Sequence, residues 1–178
     1  MTRPSRYLLS GRPGVGKTTL LRKSATGLSG LAVGGFFTQE IRENGQRVGF
    51  GLTTFEGQSG VLAHVDNRSG PRVGKYRVDC DTFDRIGVQA LESALSDAAV
   101  ILIDEIGKME LLSSRFRMTL AAVFDVEKPL VATIMAHPLS LTDALKQRPD
   151  VQLVEVTLEN RDELANEIAA AIQGYARV

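Results

Sequence analysis

Residues 6–19 read RYLLSGRPGVGKTT, and this stretch decides the fold. The apolar run RYLLS precedes a glycine-rich segment, and LLRKSATGL then has the pattern of a helix that ends near Gly30. Residues 11–18 match the spacing G-x-x-x-x-G-K-[ST] at every fixed position. Between a strand and a helix, such a loop directs backbone N–H groups and a helix N-terminus at one anion. The sequence therefore predicts a phosphate-binding loop.

The residue types of this loop each have a chemical reason. Glycines allow a tight turn with close backbone approach, Lys17 can reach the β- and γ-phosphates, and the Thr18 hydroxyl can ligate Mg²⁺. The alternative is an ordinary glycine-rich turn, which the flanking strand and helix patterns disfavour. The predicted nucleotide-binding residues are Gly11, Arg12, Pro13, Gly14, Val15, Gly16, Lys17, Thr18 and Thr19.

Two adjacent acids end a second apolar run, in VILIDEIGKME at residues 100–110. In a parallel sheet, ligands sit outside the carboxyl ends of the strands, so Asp104 is expected beside the glycine-rich loop. We predict that Thr18 and Asp104 hold Mg²⁺ and that Glu105 orients and deprotonates an attacking water. The alternative makes both acids strand-end residues that accept backbone hydrogen bonds.

The remaining elements predict an α/β layered fold with a largely parallel sheet. Residues 35–65 contain β-rich runs separated by ENGQ and EGQS, which favours an inserted antiparallel β-meander within one domain spanning residues 1–178. The stretch DNRSGPRVGK is predicted to be a polar loop. Predicted helix caps are Asp81, then Ser113 or Ser114, and a capping box formed by Asn160 and Glu163.

Composition limits the classes of function. Lys+Arg and Asp+Glu are 21 each, so a general attraction to nucleic acid or to a membrane surface is not expected. A single cysteine, Cys80, excludes an intrachain disulfide. We find no apolar stretch that suits a signal peptide or a membrane span, and a cytoplasmic location is expected.

Three segments, GRPGVGKTTL, GGFFTQEIRENGQRVGF and IDEIGKMEL, resemble the small P-loop nucleoside-triphosphatases of thermophile and cancer-related type. VGKYRVD and VTLENRDEL extend the resemblance over essentially the whole chain. The resemblance implies slow, Mg²⁺-dependent hydrolysis of ATP, GTP and other nucleoside triphosphates on a RecA-like sheet. It also implies that residues 11–18 and the Asp104 segment form the nucleotide site.

Several other residues have two interpretations. Lys108 either neutralises charge on the γ-phosphate or is a turn lysine that pairs with Glu110. Arg12 either acts as an arginine finger or points to solvent. The resemblance places Thr133 where a polar side chain senses the γ-phosphate, and its alternative is a strand residue that bonds locally. Arg161 is a weak candidate for a contact with the base.

Two alternative functions stay open from the sequence. A nucleotide or nucleoside kinase needs an acceptor pocket and an arginine-bearing lid, and no arginine-rich lid segment is evident. A nucleotide-switched module would bind a protein partner through the hairpins of residues 35–65. Direct binding of nucleic acid is disfavoured by zero net charge, although aromatic residues near Arg42 and Arg47 leave it open. The chain has no Asn-Lys-x-Asp stretch for reading guanine, so poor base selectivity is expected.

Overall fold

The computed structural model describes residues 6–176. Its strands are β1 (Arg6–Ser10), β2 (Val33–Glu43), β3 (Gln46–Thr54), β4 (Ser59–His64), β5 (Arg72–Val73), β6 (Tyr76–Val78), β7 (Val100–Ile106), β8 (Leu130–Ile134) and β9 (Val151–Glu155). Its α-helices are α1 (Lys17–Thr26), α2 (Cys80–Phe83), α3 (Gln89–Asp97), α4 (Ser114–Asp125), α5 (Ser140–Lys146) and α6 (Arg161–Ala176). A π-helical turn at Asp84–Val88 joins α2 to α3, and a 3₁₀ turn covers Glu110–Leu112.

All nine strands form one sheet in the order β5-β6-β4-β3-β2-β7-β8-β1-β9. The strands β2, β7, β8, β1 and β9 pair in parallel, and the rest of the sheet is antiparallel. The predicted α/β fold with an antiparallel hairpin region is therefore confirmed. The hairpins extend the central sheet, since β2 pairs with β7 on one side and with β3 on the other.

Alternating residues of the central strands pack against two different helical layers. On β1, Leu8 belongs to the larger core with α3 and α4, while Leu9 packs with α1 and α6. On β7, Ile103 faces the first layer and Leu102 the second. Because both faces of these strands are covered, their sequences are continuously apolar rather than alternating.

Several local predictions differ from the structure. The helix predicted to run to Gly30 ends at Thr26, where Gly27 donates a backbone hydrogen bond to Lys23. Asp79, not Asp81, caps α2, because its carboxylate accepts hydrogen bonds from the backbone N–H of Thr82 at 2.9 Å and from the Thr82 hydroxyl at 2.8 Å.

Two further local predictions are wrong, and a third is resolved. The predicted polar loop contains the short strand β5. The predicted capping box is absent, since the side-chain oxygen of Asn160 accepts from the backbone N–H of Thr157 at 2.8 Å and so holds the preceding loop. Ser113 caps α4 by accepting from the backbone N–H of Phe116 at 2.9 Å.

Candidate active site

The glycine-rich loop lies between the end of β1 and the start of α1, as its sequence predicts. Lys17 Nζ donates to the backbone carbonyl oxygens of Gly11 at 2.9 Å and Arg12 at 3.3 Å, so its ammonium group spans the loop. Gly16 has a φ of +106°, a conformation that a side chain would strain. The loop has the form of an anion-binding turn at a helix N-terminus.

Asp104 is the centre of a hydrogen-bond network that joins four segments. The residue is 2% exposed, and its Oδ2 accepts from the Thr18 hydroxyl at 2.8 Å. The same oxygen accepts from the backbone N–H and the hydroxyl of Thr38, each at 3.2 Å. Asp104 Oδ1 accepts from the Thr133 hydroxyl at 2.6 Å. Four hydrogen bonds offset the cost of burying this carboxylate.

Parallel pairing explains why these residues meet. The sheet order places β8 between β1 and β7, with β2 on the far side of β7. Because these strands are parallel, the end of β1 that leads into the loop, Asp104 of β7 and Thr133 of β8 lie at the same edge of the sheet. The pairing of β7 with β8 is irregular between Ile103 and Ile106. Asp104 and Glu105 both line the cleft at this irregularity, although adjacent side chains on a regular strand point to opposite faces.

Glu105 and Glu110 bring two carboxyl groups to the same glycine. A Cβ atom placed on Gly107 would lie 2.6 Å from Glu105 Oε1 and 3.0 Å from Glu110 Oε2. Burial, and then the charge of Asp104, raise the pKa of Glu105, while Lys17 opposes the shift. Burial, and then the charge of Glu105, raise the pKa of Glu110 well above its ordinary value. This part of the cleft is therefore one where a carboxyl group can take up a proton.

A cleft of about 850 Å³ runs along this edge of the sheet. Its lining includes the loop residues, the acids of β7 and the exposed Lys108. Arg12 is exposed and is not part of the lining. None of the ion pairs within residues 6–176 joins Lys108 to Glu110, which leaves the pairing interpretation of Lys108 unsupported.

A second, smaller cavity of about 150 Å³ lies beside Gly16 and Thr19, two residues that also line the cleft. Gly16, Thr19, Leu20, Lys23, Arg161 and Asp162 line this cavity. Arg161 Nη1 donates to the backbone carbonyl oxygen of Val15 at 3.0 Å, so this guanidinium packs directly against the loop.

Thr38 is the site residue that the sequence did not reveal. Its only signal is a polar residue after the apolar run GGFF, and this resembles any strand end. The contact with Asp104 depends on β2 lying beside β7, which is a non-local pairing. Thr133, for which the sequence left two interpretations, bonds across strands to Asp104 rather than locally.

Mg²⁺ is the metal expected at this centre, and the oxygen atoms of Thr18 and Asp104 fit it, because hard oxygen ligands suit this ion. Within the described part of the chain, no group of three or more His, Cys, Asp or Glu side chains could hold a metal ion. Mg²⁺ is commonly bound by one or two protein groups together with phosphate oxygens and water. Among the helices of residues 6–176, none is both long and apolar enough to cross a bilayer.

Three features define a P-loop nucleoside-triphosphate-binding protein. They are the parallel central strands, the glycine-rich loop at a helix N-terminus after β1, and an acid on β7, which is two strands from β1 in the sheet. A protein-family model described as NTPase matches residues 6–169. The nucleoside-triphosphatase THEP1 of Thermotoga sp. (strain RQ2) is 45% identical over 168 residues, covering 94% of this chain and 95% of that protein. The human cancer-related nucleoside-triphosphatase is 38% identical over 180 residues, covering 93% of this chain and 95% of that protein.

Solved structures give the same result. The crystal structure of THEP1 from Aquifex aeolicus superposes with a TM-score of 0.87 at 35% identity, covering 94% of this chain and 99% of that one. The chain therefore belongs to the NTPase family, whose enzymes hydrolyse nucleoside triphosphates, and the resemblance found in the sequence is confirmed.

Proposed function

We propose that this enzyme is a Mg²⁺-dependent hydrolase that converts ATP, GTP and other nucleoside triphosphates to the diphosphate and phosphate. The observation that carries the proposal is the 2.8 Å hydrogen bond between Thr18 and Asp104, which brings the phosphate loop and the acidic strand into one centre. In this proposal Thr18 and Asp104 hold the metal. When bound, the ion neutralises charge on the β- and γ-phosphates.

The phosphates are held by the backbone of residues 11–19 and by Lys17. The Lys17 ammonium group already lies over the loop through its bonds to Gly11 and Arg12, so it needs little rearrangement to meet an anion. Lys108, exposed at the cleft, is proposed to offset charge that develops on the γ-phosphate. Arg12 is assigned only to the loop backbone.

Glu105 is proposed to orient the attacking water and to take its proton. Its raised pKa supports this role, because a base is most effective when its pKa is near the working pH. The hydroxyl groups of half-buried Thr38 and of buried Thr133 keep Asp104 in place beside it. We expect slow turnover, because Lys17 and Lys108 are the cationic side chains that line the cleft beside the loop, and among the described residues no arginine lines this part of the cleft.

Poor selectivity among bases is part of the proposal. The small cavity next to Gly16 is proposed to hold the base and sugar, with Arg161 beside them. A guanidinium plane can stack on any base, and stacking does not distinguish bases by hydrogen bonding.

The test measures phosphate release from ATP and GTP with and without Mg²⁺, together with nucleotide affinity. Glu105→Gln should keep nucleotide affinity and lose about 10²–10⁴-fold in kcat, because it removes the base and leaves the loop unchanged. Lys17→Ala is the contrasting variant and should weaken nucleotide binding itself. Full turnover by Glu105→Gln would show that another group, such as Glu110, orients the water.

A further inference from the structure

The connection between β9 and α6 packs against both ends of the glycine-rich loop. Before the loop, the backbone N–H of Val156 donates to the Ser10 carbonyl oxygen at 2.7 Å, and a Cβ atom on Gly11 would lie 2.8 Å from the Val156 carbonyl oxygen. At the other end, a Cβ atom on Gly16 would lie 3.1 Å from Arg161 Nη1 and 3.3 Å from Arg161 Cδ. The arginine side chain can lie this close because position 16 has no side chain.

Hydrogen bonds within the connection fix the backbone from which Arg161 extends. Asn160 Oδ1 accepts from the backbone N–H of Thr157 at 2.8 Å, and Asn160 Nδ2 donates to the carbonyl oxygen of Glu155 at 2.9 Å. The backbone N–H of Arg161 donates to the Thr157 carbonyl oxygen at 3.2 Å. The connection is thus tied at one end to β1 and presents Arg161 to the loop at the other.

Arg161 acts on a single peptide unit of the loop. Its Nη1 donates to the Val15 carbonyl oxygen at 3.0 Å. In a planar trans peptide, the C=O of one residue and the N–H of the next point in opposite directions, so the Gly16 N–H points away from Arg161. Gly16 lines both the small cavity, where Arg161 lies, and the cleft. The contact therefore leaves the Gly16 N–H as a donor directed away from the small cavity.

This peptide unit is one whose orientation needs to be fixed. The units on either side are held, since the Val15 N–H donates to Arg12 at 3.2 Å and the Gly16 carbonyl oxygen accepts from the Leu20 N–H at 2.9 Å. Between them, rotation of ψ at Val15 and of φ at Gly16 can reverse the unit, because glycine adopts either sign of φ. A reversed unit would turn a carbonyl oxygen, and not an N–H, toward a bound anion.

We propose that Arg161 is a positioning residue for phosphate binding: by holding the Val15 carbonyl oxygen, it keeps the Gly16 N–H turned toward the phosphates in the cleft. This role is separate from the contact with base and sugar proposed above, because it acts on the backbone that binds phosphate. The inference rests on the triphosphate site of the proposed function. Its consequence is that Arg161 contributes to the binding of a phosphate ligand that has no base.

The experiment measures the binding of two ligands to the purified full chain by calorimetry in the presence of Mg²⁺. ADP and inorganic pyrophosphate each contain two linked phosphates, and pyrophosphate has neither base nor sugar. Arg161→Met keeps an unbranched side chain over Gly16 but removes the donor. It should weaken the binding of both ligands by about tenfold or more and by similar factors, because a loop N–H no longer meets the phosphate.

Two further variants separate the hydrogen bond from general effects of the substitution. Arg161→Lys keeps a charged donor and should recover at least part of the lost affinity. Arg77→Met makes the same change at a partly buried arginine whose Nη1 also donates to a backbone carbonyl oxygen, that of Gly70 at 3.0 Å. Arg77 lines neither the small cavity nor the cleft, so this variant should bind both ligands as the wild type does.

The salt dependence distinguishes positioning from simple attraction of charge. At about 1 M salt the Debye length is only about 3 Å, so a long-range attraction between Arg161 and the phosphates is screened. The loss of affinity in Arg161→Met should persist there, since the orientation of a peptide unit does not depend on screening. A loss that disappears at high salt would overturn the positioning role.

The choice of ligands distinguishes this inference from the proposals it builds on. If Arg161→Met loses affinity for ADP but binds pyrophosphate as the wild type does, Arg161 contacts the nucleoside only. The positioning role is then wrong and the triphosphate site stands. If the wild type binds neither ADP nor pyrophosphate, the phosphate site of the proposed function itself fails.

Discussion

Thr18 and Asp104 are 86 positions apart in the chain, and the hydroxyl of Thr18 donates a 2.8 Å hydrogen bond to Asp104 Oδ2. Thr18 belongs to α1, the helix after the glycine-rich loop. Asp104 belongs to β7, which is two strands away in the sheet from β1, the strand before that loop. Both side chains offer oxygen atoms of the kind that Mg²⁺ prefers as ligands. This contact is the basis of the proposed catalytic centre.

Asp104→Asn tests the metal site directly. The amide keeps the size of the side chain but removes the charge that attracts a divalent cation, so Mg²⁺ affinity and kcat should each fall about 100-fold or more. The measurement is phosphate release as a function of Mg²⁺ concentration. Asp125→Asn, at the exposed end of α4, is the control and should behave as the wild type. An unchanged Mg²⁺ requirement in Asp104→Asn would contradict the assignment.

Thr133→Val tests the side chain that holds Asp104 from β8. Valine matches the shape of threonine, but it cannot donate the 2.6 Å hydrogen bond to Asp104 Oδ1. Loss of such an orienting partner should reduce metal affinity or activity by about 10–100-fold. Thr133→Ser keeps the hydroxyl and should retain most of the activity. Equal loss in both variants would point to packing, not to the hydrogen bond.

Glu110→Gln tests the buried carboxyl group through the pH dependence of stability. Burial and the Glu105 carboxylate raise the pKa of Glu110, so the folded state binds this proton more tightly than the unfolded chain does. Between the ordinary pKa and the raised one, the free energy of unfolding therefore falls as pH rises, by up to about 1.4 kcal/mol per pH unit for one proton.

The glutamine variant removes this titration. Its free energy of unfolding should exceed that of the wild type increasingly as pH rises above the ordinary pKa of a glutamate. Urea denaturation of the metal-free and nucleotide-free proteins at several pH values measures the difference. If the free energy of unfolding changed with pH in the same way in both proteins, the pKa of Glu110 would not be raised in the folded state.

Gly35→Ala tests the pairing that brings Thr38 to Asp104. Gly35 has a φ of +111°, and an added Cβ atom would lie 1.9 Å from the carbonyl oxygen of Leu102 on β7. Strain and clash together should lower the free energy of unfolding by more than about 3 kcal/mol. Gly45→Ala is the matched control, because its φ of +78° imposes strain in open space and should cost only about 1–2 kcal/mol.

The difference between these variants is measured by denaturant unfolding, with nucleotide hydrolysis as a second readout. We expect Gly35→Ala to lose activity at temperatures where it is still folded, since β2 must move away from β7. Similar unfolding free energies for the two variants would mean that the close contact of Gly35 with Leu102 is easily relieved.

Local patterns carried most of the predictions that were right. The loop spacing, the apolar strands and the turn segment ENGQ between two β-rich runs each depend on neighbouring residues, and each element appears in the structure. The errors were also local, but they depended on competing partners. Asp79 and Asp81 both suit a helix cap, and only the actual path of the chain decides which carboxylate meets the N–H of Thr82.

The sequence by itself determined the phosphate loop, the acid-bearing strand and the family, because residue types at fixed short spacings specify them. Only the tertiary structure decided that Thr38, Thr133 and Thr18 share one carboxylate, and that Arg42 and Arg47 line the same cleft as the loop. Those contacts depend on the order of strands in the sheet. Strand order is set by packing across the whole molecule, and the pattern of any single segment does not contain it.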